Sequence, residues 1–535
     1  MPPQFKYTQV VEKSDWNNYH GTVAHRHVPV YAIIDAGGDT TSATVPPWQR
    51  QGQALREILQ YCFSRNPPES LRAVGATWSL SDIIAPGNVI VDPGRMNAMA
   101  RVSPAWFTPA YPGPATPQGA VPMVVEGGAR IKDINQALGE LGLALQTSGA
   151  SDGHRIAGCV ATGTHGSAIQ IGAVHDTVLA VYLLVAPDKA ILVQPATGTP
   201  FKDDLAQWFE AQCGFPTQSL KDDDAFFAAQ VSLGSMGFVH SLVIETVPLY
   251  RLRGRTLVRP LGDAAVFEAV RTFDTQPLHP DIAQRPYHFS LLINPYAGSG
   301  SPGLFVGLYW KVPVDGVPFA GPSPAIPMAP SDTANLIGKL IGLLDGPVAG
   351  PIVEHVITSV LVSQNPPHPP NEPAPVFPGQ AFGPTTLPAG HGESTEIVVD
   401  QKRAVDAIAT VLKAIDAERS KGRHLLGAMG VRFVPQTRAL LGMNIHAMNC
   451  YMELGSLTNP AIAQIHQACW DALDAAGIPY TCHWGQQHRL DAAHLSAYFG
   501  ERVARWRAAR AALLSTAVAR TVFAAQTLAK VGLAG

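Results

Sequence analysis

The sequence predicts an α+β protein built in two parts, and three observations carry that prediction. Apolar residues at helical spacing alternate with short apolar runs of strand length. The segments TVLAVYLLV and AILVQ flank a Pro-Asp turn at Ala186–Lys189, which is the pattern of an antiparallel hairpin. The composition changes after about Tyr250, where aromatic-rich strands and then a proline-dense stretch follow. A length of 535 residues fits two to four domains at roughly 100–200 residues each. With 46% hydrophobic and 15% charged residues, the chain can bury large cores and is not disordered. Its 49 glycines and 46 prolines make it turn-rich. A net charge of −3 with no basic stripe argues against a nucleic-acid partner. The longest apolar stretches, such as Thr177–Pro187, fall short of the ~20 residues of a spanning helix. The first residues lack an apolar signal core, so a soluble, cytoplasmic protein is expected. The six cysteines are scattered and form no CxxC pair, which points to reduced structural thiols and no metal site. The oligomeric state is not legible.

Taken in order, Gln49–Phe63 reads as a helix with Leu55, Ile58, Leu59 and Cys62 inward. Val89–Asp92 and Met123–Gly127 read as strands, with a Pro-rich loop at Pro104–Pro122 between them. A helix face of Ile134, Ala137, Leu138 and Leu141 follows, with Gly142 as its C-cap. Asp222–Gln230 reads as helix, and Val231–Val247 as a glycine turn entering a long strand. Two strands are expected near His288–Asn294 and Leu304–Val312. Proline is dense from Val312 to Gly392, so a linker or extended loop is expected there. Asp400 caps a helix carrying Val405, Ile408, Leu412 and Ile415. Strands near Gly427–Val434 and Asn444–Leu454, a helix over Ala461–Ala475 and an Ala-rich helical tail complete the chain.

Small-residue turns carry the chemistry. Gly75-Ala76-Thr77-Trp78-Ser79 follows a short apolar run, and such a turn offers successive backbone N–H groups to a pyrophosphate. Gly158-Cys159-Val160-Ala161-Thr162-Gly163-Thr164-His165-Gly166 lets backbone approach a flat ligand, with hydroxyls at hand. A third glycine turn, Gly234 to Gly237, enters a strand.

In this order the turns resemble the FAD-binding domain of the vanillyl-alcohol-oxidase superfamily, nearest its sugar-alcohol and aldonolactone oxidase branch. That branch reads R-x-x-G-x-x-H-S, V-E-x-G-A, G-x-x-x-T-G-T-H-G, S-L-G-x-x-G and, near its end, H-W-G-K or H-W-A-K. This chain has RAVGATWS, VEGGA, GCVATGTHG, SLGSMG and HWGQ. The likeness is close over Gln49–Val247 and looser beyond. It implies a two-subdomain PCMH-type FAD-binding domain over residues 1–250. A substrate (cap) domain would span 251–484, an antiparallel sheet flanked by helices with a Pro-rich insert at about 312–392. Residues 485–535 would return to the FAD domain. Val74, Gly75, Ala76, Thr77, Trp78 and Ser79 would wrap the pyrophosphate. Gly158, Cys159, Thr162, Gly163, His165 and Gly166 would line the flavin, and Gly237 and Val239 would lie near the other end of the cofactor.

The departures matter as much. Trp78 stands where many relatives bond a histidine to the flavin, so noncovalent FAD is expected, with a linkage through Cys159 as the alternative. Gln486 replaces the lysine of the final motif. Relatives carry E-x-R on a substrate strand, where this chain has Gly430-Val431-Arg432. Arg432 would orient a substrate oxygen, or else lie on the surface. His483 is the candidate base, or a histidine that only packs on the cofactor. Glu396 falls where relatives keep a glutamate and serves the site or a structural ion pair. Cys450 and Met452 share one strand face, Tyr451 and Glu453 the other. The implied reaction oxidises a CH–OH group of a small-to-medium alcohol by hydride transfer to flavin N5, with oxygen or another acceptor taking the electrons. The loss of the glutamate and lysine suggests a substrate less polar than a polyol. The alternative is a degenerate FAD-binding or partner-binding protein without turnover.

Overall fold

A computed structural model describes residues 2–25, 27–35, 45–85, 87–111, 121–149, 151–298, 300–321, 350–365, 367, 374–381 and 392–534. It is an α+β fold organised by three large sheets. The first has four strands in the spatial order Thr8–Lys13, Val28–Ile34, Val89–Asp92, Leu71–Ala73, with one antiparallel and two parallel pairings. Helix Pro47–Ser64 covers it. Pro47 sits in the first turn, where a missing N–H has no consequence, and Leu55, Ile58, Leu59 and Cys62 are buried as their spacing requires. The second sheet has six strands, ordered Thr217–Lys221, Lys189–Gln194, Val178–Ala186, Phe238–Ile244, Met123–Glu126, Met99–Arg101. Its centre is the expected hairpin, in which Val181 faces Val193 and Leu183 faces Ile191. Helix Asp223–Gln230 packs on this sheet, its first turn closed by Asp222, whose carboxylate accepts from Ala225 N at 2.7 Å.

The third sheet is antiparallel and has seven strands, ordered Arg251–Pro260, Pro302–Val312, His288–Ile293, Gly427–Pro435, Met448–Leu457, Gly392–Asp400, Thr481–Cys482. Helices Ala404–Arg419 and Ile462–Ala475 pack together beside it. The sheet meets the N-terminal part where Ser167 Oγ accepts from Phe433 N at 2.8 Å and Ala168 bridges His288. The C-terminal helices return to the second sheet's helices. Trp506 Nε1 donates to Val231 O at 3.1 Å, and Arg510 Nε donates to Ser235 O at 3.0 Å. No helix among the described residues is long and apolar enough to cross a membrane. All six cysteines are buried and unbridged.

Four expectations need correction. The stretch 312–392 is not wholly irregular. Gly350–Gln364 is helical and Pro378–Ala381 forms one helical turn, while 322–349, 368–373 and 382–391 lie outside the described residues. The only proline between 350 and 364 is Pro351, in the first turn, where it is tolerated. Strand Arg251–Pro260 and helix Ala264–Thr272 were not expected. The strand is an edge, with arginines at 251, 253 and 255 alternating with better-buried positions, so its apolar signal is thin. Leu141 lies past the end of helix Ile131–Glu140 and is 46% exposed. The strand expected from Asn444 begins at Met448, because Asn444 and Asn449 tie the preceding turn to the carbonyls of Pro435 and Val434.

Candidate active site

Strand Leu71–Ala73 ends in a loop, Val74–Ser79, that forms one wall of a trough with a cavity of about 140 Å³. The amides of Gly75, Ala76, Thr77, Trp78 and Ser79 find no acceptor among the described residues. Thr77 holds a positive φ of 58°, which turns the loop, and its carbonyl is fixed by Tyr19 N at 2.8 Å. The facing wall is helix Ile156–Thr162. A Cβ added to its Gly158 would meet nothing within 4 Å, and one on Gly75 would meet only the Arg155 Cβ at 3.8 Å. Both glycines therefore open onto empty space broad enough for a ligand to touch backbone. Cys159, Thr162, Gly237 and Val239 also border the trough. Gly163 and Gly166 do not. A Cβ on Gly163 would strike the Met443 methyl at 2.6 Å, and one on Gly166 would lie 3.3 Å from Gly149, so these two shape the loop from behind. Thr164 and Gly234, from the same turns, border the trough as well, and so do His154 and Phe523, which sequence reading missed. Phe523 arrives from the C-terminal tail, and no local pattern could place it there.

A second cavity of about 370 Å³ adjoins the first. Trp78, Ser79, His154, Thr162 and Thr164 border both, so the two spaces lie side by side. The inner wall of the second is a charged cluster. Glu396 accepts from Arg432 Nη1 at 3.0 Å and lies 3.1 Å from His165 Nε2. The same Arg432 nitrogen donates to Glu453 Oε2 at 2.6 Å. Gln486 reaches both carboxylates, at 3.4 Å and 3.3 Å. Arg432 is thus neither a surface residue nor alone. Burial opposes ionisation of Glu396, but the His165 ring and the Arg432 guanidinium outweigh it and hold the carboxyl well below its usual range. The Tyr451 ring lies 3.8 Å from the His165 ring, so the Tyr451/Glu453 face of the strand looks inward to the site.

His483 occupies the remaining side. Its backbone N donates to Glu396 O at 2.9 Å, and its Nδ1 accepts from Gly485 N at 3.0 Å. An amide can only donate, so Nδ1 carries the lone pair and the neutral ring bears its proton on Nε2. Burial pushes this histidine down to about 3, which keeps the ring neutral. The ring nitrogens of His165 and His483 and a Glu396 oxygen lie within 4.8 Å of one another, a spacing open to a metal ion. Arg432 bonds Glu396 Oε1, Gly485 N bonds His483 Nδ1 and the Gly166 carbonyl meets His165 Nδ1, so the group also forms a hydrogen-bonded cluster. The lining side chains are largely polar, which speaks against a substrate less polar than a polyol. The carboxylate absent at 430 is present at 453, on the neighbouring strand.

Residues 50–192 match the family described as FAD binding domain. This chain carries an FAD-binding domain. It is 26% identical over 217 residues to an L-gulonolactone oxidase of Scyliorhinus torazame, spanning 39% of this chain and 40% of that one. Over 243 residues it is 26% identical to an L-gulono-1,4-lactone dehydrogenase of Mycobacterium tuberculosis, spanning 45% and 44% of the two chains. The matches thus span less than half the length of these relatives. A mutant cholesterol oxidase from Brevibacterium sterolicum superimposes with a TM-score of 0.70 at 11% identity over 99% of both chains, and so shares the fold. The FAD-binding domain fits the trough found here: unpaired loop amides for phosphates, two glycines that admit a ligand, and five lining residues shared with the second cavity.

Proposed function

We propose that this protein is an FAD-dependent oxidoreductase that oxidises a CH–OH group of a small, polar, hydroxylated molecule in the second cavity. The observation that carries the reading is the shared border of the two cavities along Trp78, Ser79, His154, Thr162 and Thr164. FAD, when bound in the trough, supplies the two-electron acceptor for chemistry at that border. The chain's own residues supply positioning. Arg432 keeps Nη2 without a partner among the described residues, and neutral His483 keeps its Nε2–H. Both are donors on the cavity wall. Donors aimed at a substrate hydroxyl favour its ionised form and so ease loss of its proton to solvent water. His483 acts here as a donor rather than as the base, because its Nδ1 lone pair is already used. Glu396 keeps Arg432 and His165 in place from behind, and Gln486 spaces the two carboxylates.

The polar lining and the two lactone-acting relatives support a sugar-derived lactone or polyol over a sterol. Oxygen or another acceptor would complete turnover. We also propose noncovalent attachment. Trp78 offers no nucleophilic nitrogen, and burial pushes the Cys159 thiol up to about 12. The division into 1–250, 251–484 and 485–535 and a cytoplasmic setting belong to the same proposal. The test is anaerobic mixing of the FAD-loaded protein with aldonolactones, sugar alcohols and a sterol. Bleaching of the flavin's visible absorbance by the first two groups supports it, and bleaching by the sterol alone contradicts it.

A further inference from the structure

Three backbone positions form a row across the sheet beside the second cavity. Glu396 pairs directly with Glu453, and Glu453 pairs directly with Gly430. Directly paired residues in an antiparallel sheet project from the same face. Two carboxylates therefore stand opposite each other, an arrangement that repels unless a cation lies between them. Arg432 Nη1 is that cation, bonded to both. The third place in the row is empty of side chain. A Cβ added at Gly430 would lie 3.7 Å from Glu453 Oε2 and 3.8 Å from Arg432 Nη2, both ordinary contact distances. A side chain at 430 would thus stand beside the same guanidinium, close to its other nitrogen.

We propose that Gly430 and Glu453 are two alternative seats for one carboxylate, and that Glu453 is the positioning residue that fixes Arg432 in this protein. The consequence lies in which nitrogen is engaged. With the carboxylate at 453, both acidic partners bind Nη1 and Nη2 stays available on the cavity wall. A Cβ at Gly430 would stand 3.8 Å from Nη2, so a longer side chain there competes with a substrate oxygen for that nitrogen. Gly430 is then a specificity position: filling it crowds Nη2 of the guanidinium.

The inference rests on the proposed role of Arg432 in the second cavity, and a reciprocal exchange tests it by two independent readouts. The first is thermal unfolding of FAD-loaded variants. Gly430→Glu in the wild-type background puts a third carboxylate beside one guanidinium and lowers the melting temperature. In a Glu453→Ala background the same change restores a missing partner and raises it. A shift of the same sign in both backgrounds overturns the proposal, whatever the protein's activity. The second readout is flavin reduction by whichever hydroxylated substrate the wild type accepts. Glu453→Ala slows it at least tenfold, and adding Gly430→Glu recovers at least threefold of that loss, with a raised KM because Nη2 is crowded. Glu453→Gln, which keeps shape but not charge, covers the case in which Glu453→Ala does not fold, and it too is slowed. A Glu453→Gln enzyme with wild-type kcat and KM overturns the inference. If no substrate reduces the wild-type flavin, the functional proposal fails while the thermal exchange still decides this one.

Discussion

Arg432 is the residue on which the site turns. Its side chain is 24% exposed, and its Nη1 neutralises two carboxylates of which Glu396 is nearly fully buried. Removing one partner from a buried ion pair leaves an uncompensated charge and costs about 3–5 kcal/mol. Arg432→Ala should therefore lower stability by about 3 kcal/mol and abolish flavin reduction, as read by chemical denaturation and anaerobic bleaching. Arg432→Lys should recover part of the stability and little of the activity, because a single ammonium lacks the second, aimed N–H. Wild-type turnover in Arg432→Lys would mean that charge alone is needed. Trp78 is the other informative residue. A Cβ on Gly153 would come within 2.7 Å of the Trp78 ring, so the indole already fills its corner at the mouth of the trough. Acid precipitation should release all colour into the supernatant. Colour held in the pellet would direct attention to Cys159.

At the scale of elements, the turns were legible and the strand pairing behind the cavity wall was not. Val178–Ala186 and Lys189–Gln194 could be read because each is a continuous apolar run closed by a Pro-Asp turn. The cofactor turns could be read because small residues at fixed spacing have few uses other than admitting a ligand to backbone. The resemblance named Glu396, Arg432, His483 and Gln486 singly, and all four border the second cavity; the pairing of Glu396 and Glu453 through Arg432 could not be read, since they lie on three strands whose register no sequence period encodes. Reading Gly430 as the loss of a carboxylate missed that the neighbouring strand supplies one. The C-terminal tail was expected to return to the FAD-binding part, but its share in the trough came only from tertiary contacts. Arg510 ties it down, with Nε on Ser235 O at 3.0 Å and Nη2 on Ala519 O at 2.6 Å and Phe523 O at 3.1 Å. Each hydrogen bond to a charged group contributes about 1.5–3 kcal/mol. Arg510→Ala should loosen residues 515–534, withdraw Phe523 from the trough and weaken FAD binding at least tenfold in a fluorescence titration. Unchanged affinity would show that the tail merely packs nearby.

The whole molecule carries an acid sensitivity in its buried histidines. Burial pushes His154, His466 and His488 down to about 4, and His240, His288 and His483 down to about 3. In the unfolded chain each would protonate near 6.5. Below that pH the unfolded state binds more protons, so stability falls as pH drops from about 6.5 toward 4. Glu126 runs the other way, since burial raises it to about 8 and the folded chain holds its proton. Burial also raises Asp152 and Glu393 and also lowers His175 and His446, so three carboxyls oppose eight histidines and the melting temperature should fall between about pH 6.5 and 4. A flat profile over that range would mean that these rings reach water in the folded state.

The central claim is that the trough and the second cavity work as one site on a hydroxylated substrate. The most direct measurement is stopped-flow, anaerobic reduction of the FAD-loaded protein by an aldonolactone, run beside the Arg432→Ala variant. Rapid bleaching in the wild type, with at least a hundredfold slower reaction in a variant that retains its FAD, is the expected result. Equal bleaching in both, or none in a fully loaded wild type across lactones and sugar alcohols, would contradict it.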